Sequence, residues 1–264
     1  MIVCRGRCRV IMRGKPVTRR TIKIVIPGVK LETLDWQAAE RRFADNPVIV
    51  FPLGAAAKEH GPHLPLNNDA IIAEWLAARL CRERAVVVAP LLNASYYPAF
   101  VDYPGSISLR VETARDLIVD SCSSLARFGL DRFYVLNTGL STLRPLAAAK
   151  AELETRLAFD YLVLDDAFAS LPDGLLQQGY GSHADEAETS LMLYIAPERV
   201  DMARAVDDGA EGEGRLRRER GEGTWSPSGV FGQATLATAD KGRVIADCLL
   251  QRVLQQVDAL AGRA

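Results

Sequence analysis

Short β-branched runs alternate with longer amphipathic stretches along most of this chain, and that alternation limits the fold more than any other feature. "PVIVFPL" (Pro47–Leu53) is a continuous apolar run bounded by proline, the pattern of a strand buried on both faces. "DAIIAEWLAARLCRER" (Asp69–Arg84) follows with Ile71, Ile72, Trp75, Leu76 and Leu80 at helical spacing. "AVVVAPLL" (Ala85–Leu92) is again strand-like. Val111–Gly129 reads as an amphipathic helix with Gly129 as its stop, and Asp131–Gly139 as a strand ending in a small-residue turn. Leu143–Leu157 reads as a helix, Asp160–Ala167 as a strand, and Ala184–Pro197 and Asp240–Leu260 as helices. Strands joined by helices of this length build βαβ units. The expected class is therefore α/β, with a mainly parallel central sheet and helices on both faces. In such folds ligands bind beyond the carboxyl ends of the strands.

With 264 residues and 48% hydrophobic content, the chain can bury one sizeable core. A formal charge of −1 gives no reason to expect nucleic acid or an anionic membrane as partner. No apolar run reaches the roughly 18 residues of a membrane span. Met1–Lys30 stands apart, rich in Lys and Arg and free of acids. It reads either as an RNA- or membrane-seeking arm or as a poorly ordered extension, and the second is expected, with the folded domain over residues 31–264. Five scattered cysteines make no disulfide framework and fit a reducing, cytoplasmic compartment. The Gly- and charge-rich Asp207–Gly229 reads as a flexible surface excursion.

The chain has only three histidines, and they fall in two short clusters on the expected ligand rim. "KEHGPHLPLNND" carries Lys58, Glu59, His60, His63 and Asp69. "HADEAE" carries His183, Asp185, Glu186 and Glu188 at the start of a predicted helix. Imidazole with carboxylate is the usual ligand set of zinc and manganese. Acids at a helix start also suit its dipole, which accounts for Asp185 and Glu186 but not for the histidine before them.

These segments resemble the creatininase family of amidohydrolases. The resemblance is carried by "PLGAAAKEHGPHLPLNNDAIIAEWLAARL", "YPGSISL" (Tyr103–Leu109), "HADEAETSLMLY" and "SGVFGQATLATADKG" (Ser228–Gly242), in the family's order from about Leu31 onward. It implies a three-layer α/β/α sandwich, often a hexamer, with a binuclear zinc or manganese centre that activates water to attack an amide or cyclic amide carbon. Family members open creatinine, deformylate a pyrimidine intermediate or cleave small peptides. By the resemblance His60 and Asp69 are metal ligands, and His183 and Glu188 form the acid/base pair.

Two departures alter what the resemblance implies. The family's glutamate ligand falls on Lys58, leaving Glu59 one place off. The family's N-G-H-G-G-N or N-G-H-G-E-N loop reads "NTGLST" here, with Gly139 at the histidine and Ser141 at the acid. The expectation is a reduced centre of one zinc or manganese, held by His60, Asp69 and a recruit from Glu59, His63 or His183. Lys58 and His63 are expected to meet the substrate, Lys58 by polarising a carbonyl or holding a carboxylate. The predicted function is hydrolysis of a C–N bond in a small amide or cyclic amide by a homo-oligomer. Two alternatives stay open: a non-catalytic homologue that binds a small ligand or partners an active paralogue, and a metal-free enzyme built on Lys58.

Overall fold

The computed structural model describes residues 27–209, 216–219 and 222–262. Five strands form one sheet in the order β1-β3-β2-β4-β5, with every pairing parallel. They are β1 (Val29–Lys30), β2 (Ile49–Leu53), β3 (Val87–Val88), β4 (Arg132–Asn137) and β5 (Ala158–Tyr161). The chain runs outward from β2 to β3, then crosses back to place β4 on the other side of β2. The order of the strands therefore switches between β2 and β4, and a crevice opens at their carboxyl ends.

Helices cover both faces, so the fold is an α/β/α sandwich. Along β2, Val50 turns to one core with α2 (Asn68–Glu83), α6 (Glu186–Ile195) and α7 (Ala239–Ala261). Ile49, Phe51 and Leu53 turn to the other, against α3 (Val111–Ala126) and α4 (Leu143–Leu153). Strand β4 repeats the division, with Tyr134 and Leu136 on the first face and Phe133 and Val135 on the second. Burial on both faces is why these strands read as unbroken apolar runs. No described helix is long and apolar enough to cross a membrane.

Several boundaries differ from the sequence reading. Val29 and Lys30, assigned there to the basic extension, form edge strand β1; residues 1–26 lie outside the described residues. A short helix α1 (Trp36–Phe43) precedes β2, capped by Asp35, whose side chain accepts from Ala38 N. The run read as a strand over Asp160–Ala167 ends at Tyr161, and α5 (Leu164–Phe168) follows with Asp165 and Asp166 in its first turn, where acids suit the helix dipole. A second, antiparallel sheet joins β6 (Gly181–His183), β10 (Phe231–Gln233) and β7 (Asp207–Asp208), and β8 (Arg217–Glu219) pairs with β9 (Glu222–Thr224). The segment read as a flexible excursion thus includes strands, while residues 210–215 and 220–221 lie outside the described residues. Trp225 stacks on Tyr103 with ring centroids 5.7 Å apart.

Candidate metal and substrate site

Strand β2 ends at Leu53, and the next residue, Gly54, lies so close to the first turn of α2 that a Cβ there would be 2.4 Å from the Asp69 carbonyl oxygen. Only glycine permits this approach, and it seats Asp69 at the crevice, where the amino end of a helix favours an anion. Ala70 N donates to Ala55 O at 3.2 Å and Lys58 N to Leu66 O at 2.9 Å, so the loop folds back along the start of α2. "YPGSISL" packs beside it: Ile107 N donates to Ala57 O, and the Ser106 hydroxyl accepts from Glu59 N at 3.0 Å.

Asp69 is fully buried, and each of its oxygens faces one close partner. Lys58 Nζ lies 2.7 Å from Oδ2, and His60 Nε2 lies 2.8 Å from Oδ1. Burial alone would raise the Asp69 pKa, but the Lys58 ammonium and His60 outweigh it and hold the carboxyl well below the usual carboxylate range. The ammonium also lies over the rings of Phe100 and Tyr97, 4.8 and 5.5 Å from their centroids, within cation–π range.

Two adjacent peptide carbonyls fix the two imidazoles. His60 Nδ1 donates to Lys58 O at 2.8 Å, and His183 Nε2 donates to Glu59 O at 2.9 Å. These partners assign the tautomers and leave the lone pairs of His60 Nε2 and His183 Nδ1 turned inward. The rings lie 4.9 Å apart, and Phe100 backs His183 at 4.5 Å. Glu188 closes the group. Its Oε1 accepts from Asn68 Nδ2 at 2.9 Å and its Oε2 from Ala184 N at 2.7 Å, while Asp185 caps the helix through Ala187 N and Glu188 N. So held, Glu188 Oε1 is 3.5 Å from His60 Nε2, and Oε2 is 3.8 Å from His183 Nδ1.

Among the described residues, His60, His183 and Glu188 form a group able to hold a metal ion, with ligand atoms all within 4.8 Å of one another. The donor chemistry fits a cation. With Nδ1 bound to Lys58 O, His60 Nε2 and Asp69 Oδ1 face each other at 2.8 Å with a lone pair on each, so a proton or a metal ion must lie between them.

The other predicted residues fall less simply. Glu59, expected as a recruited ligand, is outside that group: its carboxylate accepts from Gly61 N and lies 3.2 Å from His183 Nε2, so it orients the imidazole. His63 was expected at the substrate or the metal. It is buried away from the cavity, with Nε2 2.8 Å from the Thr189 hydroxyl. Burial pushes its pKa down to about 4 against the opposing pull of Glu188 and Glu59. Lys58 does line the cavity, but with its ammonium on Asp69. Glu186 is wholly buried and ties α6 to Lys241 of α7 and to Gln177 N and Gln178 N.

The "NTGLST" loop closes on itself. Asn137 Nδ2 donates to Gly139 O at 2.7 Å, and its Oδ1 accepts from Thr142 Oγ1 at 2.5 Å. Gly139 and Ser141 line the cavity and offer no imidazole or carboxylate. Sequence reading missed Asn68, which orients Glu188, and the rings of Tyr97 and Phe100. Asn68 directly precedes Asp69, and Tyr97 and Phe100 lie just ahead of "YPGSISL", and those positions were the available signals. The cavity measures about 660 Å³ and reaches Lys58, His183 and Glu188.

The comparisons with known proteins agree with this architecture. A solved creatinine amidohydrolase (creatininase) superposes with a TM-score of 0.67 at 22% identity, covering 90% of this chain and 99% of its own. A manganese form of creatininase gives 0.63 at 23% identity, covering 87% and 97%. The 3-dehydro-scyllo-inosose hydrolase of Thermotoga maritima is 25% identical over 251 residues, 84% of this chain and 80% of that one. The mycofactocin precursor peptide peptidase of Mycolicibacterium smegmatis is 29% identical over 210 residues (75% and 79%), and the creatinine amidohydrolase of Pseudomonas putida 27% over 194 (66% and 74%). The creatininase family, described as creatinine amidohydrolase, matches residues 32–257, and the chain belongs to that family.

Proposed function

We propose that this chain hydrolyses a C–N bond in an amide or cyclic amide at a centre holding one divalent metal ion, zinc or manganese. The observation that carries this reading is the pair of carbonyls, Lys58 O and Glu59 O, that leaves the lone pairs of His60 Nε2 and His183 Nδ1 on the side shared by Asp69 and Glu188. Two histidines and a glutamate with an open position are a recurrent catalytic zinc set. A metal bound there lowers the pKa of water and polarises a carbonyl.

In this reading His183 and Glu188 are ligands alongside His60, a change from the acid/base pair that the sequence suggested. Glu59 holds the His183 tautomer. Lys58 stands in for a second cation: its ammonium fills Asp69 Oδ2 and faces the cavity, where it stabilises negative charge developing on the substrate oxygen. The manganese form and a Zn-Zn form among the creatininase structures support the choice of metals. Free thiols and the family resemblance support a cytoplasmic homo-oligomer acting on a small molecule.

The test is a hydrolysis screen of creatinine, other cyclic amides and short peptides with zinc- or manganese-loaded protein. Metal-dependent product release, lost in Glu188→Gln, is expected. A second reading, a ligand-binding homologue without turnover, is favoured by the self-closed Asn137–Thr142 loop. Stable metal binding with no turnover across the screen would establish it.

A further inference from the structure

The cavity that reaches His183 and Glu188 is also lined by Leu140, Leu164, Phe168 and Leu176, each only partly buried. Leu164 and Phe168 are four apart on α5 and share one face. At about 660 Å³ the space is in the range that holds drug-sized ligands, far more than a single small ring fills. Gly139 and Ser141 line the loop side of the cavity together with Leu140, Leu143 and Arg144. The charged groups at its reactive end are already partnered, Lys58 by Asp69 and Glu188 by Asn68 and Ala184 N. Beyond the reactive groups the cavity is lined mostly by apolar surface, with Arg144, Asp165 and Gln178 as polar exceptions.

Resting on the hydrolase reading above, we propose that the substrate is an amide whose acyl part carries a large apolar group, aromatic or branched aliphatic, seated against Leu140, Leu164, Phe168 and Leu176. These side chains then set specificity: a substrate lacking the group forgoes its burial and binds by the reacting amide alone.

The test is calorimetric binding of two matched probe series. Acetohydroxamate, benzohydroxamate and 4-phenylbutyrohydroxamate are titrated into the zinc-loaded protein. Acetamide and 4-phenylbutyramide are titrated into the protein as purified. Each buried methylene should tighten binding about 4-fold, so the phenylbutyryl member should bind at least about 30-fold tighter than the acetyl member in both series. That ratio should fall about 10-fold in Phe168→Ser and in Leu164→Asn, two variants made so that one that fails to fold leaves the other to report. Equal affinities within each series would overturn the proposal. Failure of every hydroxamate to bind, with the carboxamide ratio intact, would remove the metal reading and leave the apolar site standing.

Discussion

Lys58 Nζ lies 2.7 Å from one oxygen of Asp69, and His60 Nε2 lies 2.8 Å from the other. The carboxylate is buried, so its charge depends on both partners. Removing one member of a buried pair costs about 3–5 kcal/mol because the remaining charge is stranded. Lys58→Met should therefore lower the unfolding free energy by about that amount in urea melts. Adding Asp69→Asn should recover more than half of the loss. A Lys58→Met protein as stable as the parent would show that the pair does not hold the site together.

Gly229 tests the role of Glu59 without touching a ligand. It sits at φ +80°, and a Cβ there would lie 1.9 Å from Glu59 Oε1. Gly229→Ala must displace the carboxylate that steadies His183. Loss of such a supporting carboxylate typically weakens metal affinity about 10–100-fold, so zinc titration of the variant should show a drop in that range. Unchanged affinity would remove Glu59 from the account.

His63 gives a pH signature. Its folded pKa is pushed down to about 4 by burial, below the ordinary 6.5. The unfolded chain thus binds the proton more readily than the native one. The stabilising difference is complete above the unfolded value and is lost as pH falls from 6.5 toward 4, at up to about 1.4 kcal/mol per pH unit. His63→Gln, which can still meet the Thr189 hydroxyl, should flatten that acid limb in melts taken across the window. An acid limb as steep as the parent's would assign it to other groups.

How much of this was legible in the sequence varies with the range of the interactions involved. Strand β2 and helix α2 show in local pattern because Ile49, Val50 and Phe51 are buried on both sides of the sheet, and Ile72 and Leu76 face one core. The strands β6, β7 and β10 are two or three residues long and pair across wide sequence gaps, so no local period marks them. Helix α5 hides behind Asp165 and Asp166, which read as a strand's polar end. In the site, scarcity of histidine pointed to His60 and His183. It also pointed to His63, which the fold turns toward Thr189 of α6. Glu188 read as a partner of His183 alone, because its approach to His60 depends on the packing of α2 against α6 through Asn68.

The central claim is a centre of one metal ion with Lys58 in place of a second. Its most direct test is elemental analysis of protein purified without a His-tag and loaded with zinc or manganese, expressed as metal per chain, beside His183→Ala and Glu188→Ala. The account predicts close to one ion per chain for the parent and a small fraction of that in either variant. Two ions per chain, or none after loading, would contradict it.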